Sequence, residues 1–531
     1  MRRRSFMTAA VAGPLALAAC DRPAPIEGGF AGIDMARGHA LRDGRWRAAP
    51  PAETRRTRVV IAGGGVAGLA AARALRLAGV DDFALLELED EAGGNARGGR
   101  VGGIDCPLGA HYLPTPGDDA HEVQDLLEEL GLRRRVAGRW EYDERHLCHS
   151  PQERLYFQGQ WQDGLLPVQG VSEATLAQYR RFAQRVDELR RAAHFAIPTL
   201  RAPLVPLLLE LDALPFAAWL DREGLADPQL RWYLDYCCRD DYGAGLAHVS
   251  AWAGLHYFAS RHGFHAPGDD DGGERDAVLT WPEGNGWLTR RLAAPLGGRA
   301  HAGQVVVRIA ETRRGVELDA WDAAAQRLVR WEAAQCVVAL PVFVAARVVE
   351  APPPFLREAA ARVQHAPWLV ANVHLRAPLQ DRPGAAPSWD NVLYGTRGLG
   401  YVDANHQALD PTPRATVLSW YRPLGPSGFD GATVAEGRRR LLDAPWTAWR
   451  DELLGELGVP HPDLPGLATR IEITRYGHAM AMPAPGLLAR IGALPYQAGR
   501  LHFAHADWSG YSIFEEAFTR GHLAGAQAAQ A

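Results

Sequence analysis

The stretch RVVIAGGGVAGLAAARALRLAG, Arg58 to Gly79, constrains the chain more than any other. A short β-branched run leads into a glycine turn, and the turn opens an alanine- and leucine-rich helix, so the pattern predicts strand, turn and helix in succession. Gly63, Gly65 and Gly68 fill G-x-G-x-x-G. The first glycine permits the tight turn, the second lets backbone approach a pyrophosphate, and the third lets helix pack on strand, with the helix N-terminus facing the phosphates. A second apolar strand, Phe83 to Glu89, delivers Glu87 about twenty residues on, where a carboxylate holds the hydroxyl pair of a ribose. An acidic side chain there disfavours a 2′-phosphate, which leaves NAD or FAD as the nucleotide.

The next stretch, EDEAGGNAR (Glu89 to Arg97), separates those two. Here the chain resembles the FAD-dependent amine oxidase superfamily, in which the ribose glutamate is followed by a glycine pair lying against the FAD diphosphate. Gly93 and Gly94 match that pair, and Arg97 close behind joins the cofactor-binding set. The resemblance continues in order along most of the chain. GIDCPLGAHYL (Gly103 to Leu113) matches a loop that brings the backbone of Gly109 and Ala110 near the isoalloxazine. GQVVVRI (Gly303 to Ile309) matches the strand whose valine, here Val306, meets the adenine. LHFAHADWSGYSIFEEAFTRGHLAG (Leu501 to Gly525) matches a C-terminal strand, loop and helix; Asp507 takes the place of the carboxylate on the ribityl chain.

The resemblance implies an α/β fold. A Rossmann-like FAD-binding domain (55–115, 275–350 and 490–531) is interrupted by a mixed α+β substrate domain (116–274 and 351–489). It also implies an enzyme that oxidises a C–N bond of an amine. Tyr511 of WSGY becomes one aromatic wall over the flavin, and Tyr476 or His478 of ITRYGHAMAMP the second. Two aromatic faces steer an amine and attract its cation. Many members of the family hold a lysine near the flavin through a water, and the matching position here is Asn372, an uncharged side chain. That departure brings forward a dehydrogenase as the rival of an oxidase, with oxygen or a periplasmic or membrane carrier as acceptor. Asp240, Asp241 and Asp390, each beside aromatics, would favour a cationic substrate such as a polyamine if they line the pocket. The remaining alternatives are oxidation or desaturation of a non-amine, and a flavin-binding subunit without turnover.

Composition narrows the classes further. With 47% hydrophobic and 22% charged residues and a net charge of -5, the body reads as an ordinary globular chain without a basic tract for nucleic acid. The chain contains no lysine, so all 57 of its Lys+Arg total are arginine; pyridoxal chemistry of the lysine type and a P-loop lysine are excluded together. The six cysteines include no C-x-x-C pair, and no metal site is expected.

At the start, Arg3-Arg4-Ser5-Phe6 fits a twin-arginine export signal, and Leu17-Ala18-Ala19-Cys20 resembles a lipoprotein box. Residues 1–20 are therefore expected to be a signal that leaves a lipidated Cys20, with export to the periplasm and no membrane contact beyond the lipid. Residues 21–54 read as a linker with limited local structure, with Gly38 to Trp46 a candidate to dock on the body.

Overall fold

The computed structural model describes residues 25–531 apart from 48, 269–276, 409–411, 413, 430 and 432. The export signal and Cys20 lie outside the described residues. Two large sheets organise the rest. In the first, the strand Glu53–Ala62 runs parallel between Phe83–Leu86 and Arg327–Val338. Ala300–His301 extends it on one side and Leu501–Phe503 on the other, both in parallel. Val59 to Ala62 are fully buried, as the centre of a parallel sheet covered on both faces requires. The helix Val66–Leu77 follows the fingerprint turn, and the C-terminal helix Phe514–Gln530 lies along it. That approach depends on Gly521 and Gly525, where a Cβ would come within 2.0 Å of Ala67 O and 2.4 Å of Ala71 O. The mixed α/β fold expected from the sequence is the observed one.

The second sheet has eight strands in the order Glu27–Phe30, Ala468–Ala481, His365–Leu375, Thr416–Pro423, Tyr401–Asp403, Asp390–Leu393, Glu153–Phe157 and Gln160–Asp163. Helices between residues 173 and 259 pack against it around Phe182, Phe216, Trp219 and Phe258.

Several segments sit elsewhere than their sequence boundaries implied. The helix His121–Glu129 buries Val123, Leu126 and Leu127 in the core of the first sheet's helices, with Leu69 and Phe518. Pro354–Arg362 also packs onto the first sheet, through Leu356, beside Val342 and Val348. The linker reading of 21–54 needs correction. Glu27–Phe30 is a strand paired in parallel with Arg470 to Ile473, and Met35–Arg42 is a helix whose N-cap Asp34 accepts from Arg37 N. Trp46 stacks on Trp321 with ring centroids 5.3 Å apart. The strand's partner lies at the far end of the chain, so no local period in the sequence reveals it.

Candidate active site

The cofactor motifs converge at the end of the first sheet. Gly63 has φ +100°, and a Cβ there would meet Ala339 O at 2.3 Å, so only glycine makes this turn. Gly65 bridges to Gly93, Gly93 N donates to Gly64 O at 2.8 Å, and an ideal Cβ on Gly94 would lie 3.2 Å from Gly65 Cα. The fingerprint turn and the glycine pair thus form one bare backbone surface at the N-terminus of the Val66–Leu77 helix, where amides and helix dipole favour a diphosphate. Glu87 is buried beside it. Its two oxygens accept from Gly64 N (2.8 Å) and Glu89 N (2.9 Å), and burial raises its pKa. Gln304 N donates to Glu87 O at 2.7 Å, which sets the strand carrying buried Val306 next to the ribose carboxylate. Arg97 turns away from solvent to donate to Gly32 O at 2.6 Å and lies 3.7 Å from Glu89.

The loop 108–112 is held from several directions. Tyr476 donates to Leu108 O at 2.9 Å, Tyr421 donates to Gly109 O at 3.0 Å, and Ala110 N donates to Asn95 O at 2.9 Å. Ala110 and Asn95 are exposed at the same face. Behind them His111 packs on Tyr421 (4.3 Å) and Trp389 (5.4 Å), and burial pulls its pKa down to about 3, so the ring stays neutral.

Asp507 occupies the turn Ala506–Ser509 with its side chain wholly buried. Oδ2 accepts from Val342 N at 2.9 Å and lies 3.0 Å from His365 Nε2. Although burial pushes the carboxyl up, His505 and His365 hold it well below the usual carboxylate range. Oδ1 lies 3.1 Å from His505 Nδ1. The bare Gly65–Gly94 surface at a helix N-terminus fits a diphosphate. These residues therefore suit the FAD that their motifs imply.

The remaining candidates divide. Tyr511 is buried among Tyr242 (5.8 Å), His256 (5.6 Å) and Trp252 (6.4 Å), and its hydroxyl has no partner. It shares a core cluster with Tyr476. His478 does not join them. It lies where the pairing between Trp368–Tyr476 and Ala366–Met480 shifts register, is exposed, and stacks on Phe343 at 4.5 Å. Asn372 is bonded at both ends: its amide donates to Pro107 O (3.0 Å) and accepts from Ser419 Oγ (2.6 Å). These bonds staple two strands to the loop.

Sequence reasoning missed His111, Tyr421, His365, Arg261 and Glu515. Of these His111 and Glu515 lay inside recognised motifs. Arg261 pairs with Asp241 at 3.2 Å. Glu515, in the first turn of the C-terminal helix, is pushed up to about 7 by burial, with Arg261 and Asp241 nearby.

A family model described as flavin containing amine oxidoreductase matches residues 66–428. The chain belongs to that family. As a flavin containing amine oxidoreductase it is an FAD-dependent oxidoreductase, and FAD is its cofactor. It is 24% identical over 500 residues to an L-amino acid dehydrogenase of Synechocystis sp., covering 88% of this chain and 93% of that one. Among solved structures it is similar to wild-type putrescine oxidase bound to putrescine (TM-score 0.66, 18% identity, 89% of this chain and 99% of that one). It is also similar to cyclohexylamine oxidase from Brevibacterium oxydans IH-35A (TM-score 0.62, 19% identity, 91% and 99%).

Proposed function

We propose that this flavin enzyme oxidises a C–N bond of a cationic amine. The carbon beside the nitrogen loses a hydride, and the resulting iminium is hydrolysed by water. Bound FAD supplies the hydride acceptor. The chain's share is to attract the amine, orient it and exclude water.

The observation that carries this reading is Asp240. It is half-buried near the C-terminal end of the helix Pro228–Tyr242 and has neither a hydrogen bond nor an ion partner among the described residues. Its charge is felt by Tyr112 and by Asp390, as is that of Asp241 by Tyr112. Tyr112 directly follows His111 and meets Trp389 edge-on at 5.9 Å. An unpaired carboxylate near an aromatic wall and next to the cofactor-facing loop favours a cation. The relatives named for putrescine and cyclohexylamine oxidation point the same way. The amine must lose its proton before hydride leaves, so turnover should rise between about pH 6 and 9. The test is anaerobic bleaching of the flavin by a panel of mono-, di- and polyamines. Bleaching by none of them sinks the proposal.

A dehydrogenase is favoured over an oxidase by Asn372, which places no cation beside Pro107 and is bonded at both ends. Admitting air to the amine-reduced protein distinguishes the two: slow reoxidation by oxygen and fast reoxidation by a dye support the dehydrogenase.

Export by the twin-arginine route, with Cys20 as a lipid anchor, completes the proposal. Twin-arginine transport carries folded protein, which suits a cofactor held inside the fold. Replacing Arg3 and Arg4 by lysine should keep the protein in the cytoplasm, and Cys20→Ser should move it from the membrane to the soluble periplasmic fraction. Unchanged fractionation in both variants would refute this part.

A further inference from the structure

The segment ahead of the nucleotide fold is tied to the residues that bracket the cofactor motifs. Ala31 N donates to Ile473 O at 2.9 Å. Gly32 O accepts from Arg97, Asp34 N donates to the Glu89 carboxylate at 3.2 Å, and Arg37 donates to Leu88 O at 2.9 Å while pairing with Asp90 at 2.8 Å. Beyond the helix, Arg42 O accepts from Arg347, and Trp46 lies on Trp321.

The partners in this chain of contacts are informative. Leu88, Glu89 and Asp90 directly follow the ribose carboxylate Glu87, and Arg97 follows the diphosphate glycines Gly93 and Gly94. The segment leaves the strand that carries Tyr476 and ends against the sheet that carries Val306, so it joins both halves of the molecule beside the loop between the two cofactor motifs. Charge acts in the same direction. Glu87, Glu89 and Asp90 put three carboxylates near a site for an anionic diphosphate; Arg37 answers Asp90, Asp34 and Glu89, and Arg97 answers Glu89. Lifting the segment would remove Arg37 and the Gly32 anchor of Arg97 together.

We propose that residues 27–47 are a cofactor-retaining strap, with Gly32, Asp34 and Arg37 as positioning residues that must detach before FAD can leave. This rests on the cofactor alone and holds whatever the substrate.

The test uses the full-length holoprotein. FAD release is followed by the rise in flavin fluorescence after dilution, in the parent and in Arg37→Ala and Trp46→Ala, with far-ultraviolet circular dichroism as the check on folding. Loss of a charge-assisted bond predicts release faster by about tenfold or more in Arg37→Ala. In the parent, hydrogen exchange at the Ala31 and Asp34 amides, measured where opening limits it, should run at least as fast as release. Parent-like release in both variants overturns the proposal. So does release far faster than the opening-limited exchange at these amides in the parent, and that measurement decides alone if the variants do not fold.

Discussion

Tyr476 and Tyr421 donate their hydroxyls to successive carbonyls, Leu108 O and Gly109 O, from two strands that flank His365–Leu375. The loop leading to Ala110 is therefore pinned at adjacent peptides. Replacing either tyrosine by phenylalanine keeps the ring and orphans a carbonyl. Each variant should lose about 1–2 kcal/mol in chemical denaturation, and the double variant should lose less than the sum because both bonds hold one loop. A shift of the bound flavin's absorbance in either variant would locate the loop beside the ring.

Gly94 has φ +57°, and a Cβ there would crowd Gly65 Cα at 3.2 Å. Gly94→Ala should fold with parent-like circular dichroism yet bind FAD about tenfold more weakly, the size of effect expected from a residue forced into such backbone. Flavin per mole of purified protein is the measurement.

Burial, reinforced by the charge of Asp241, raises Asp240 from 3.8 to about 7. The folded protein then holds this proton up to about pH 7, whereas the unfolded chain releases it near pH 4. Stability contributed by this group falls as pH rises across that window and is level above it. Asp240→Asn should therefore melt higher than the parent at pH 8 and like it at pH 4, while binding a cationic amine more weakly at pH 8. A variant that melts lower at pH 8 would show that the charge has a stabilising partner.

Asn372→Leu breaks the bonds to Pro107 and Ser419 in a site that is 1% exposed. A loss of about 2–3 kcal/mol in denaturant unfolding is expected from two orphaned buried partners. The rate of anaerobic flavin reduction should stay within about twofold of the parent once the protein is folded, because neither bond reaches an amine.

What could be read in advance was the chemistry written in contiguous residues. The turn at Gly63 to Gly68, the carboxylate Glu87 and the pair Gly93–Gly94 follow one another closely, and the structure assembles them on one surface. Asp507 was legible through its neighbours in the C-terminal block, but His365, which with His505 holds its charge, approaches from 142 residues away. Tyr421 had no motif around it and acquires a role only through strand pairing. Asn372 was located correctly on its strand, yet its partners come from a loop and another strand. The failure over residues 27–47 has the same origin: a four-residue strand and an eight-residue helix rich in glycine and arginine carry little local signal.

The parallel pairing of Glu27–Phe30 with Arg470–Ile473 also sets an order of events during synthesis. This strand has to wait, without its partner, until residues 443 positions later have been made. Closure of this edge is therefore a late step of folding, taken after translation is almost complete, and a cofactor has until then to find its way in.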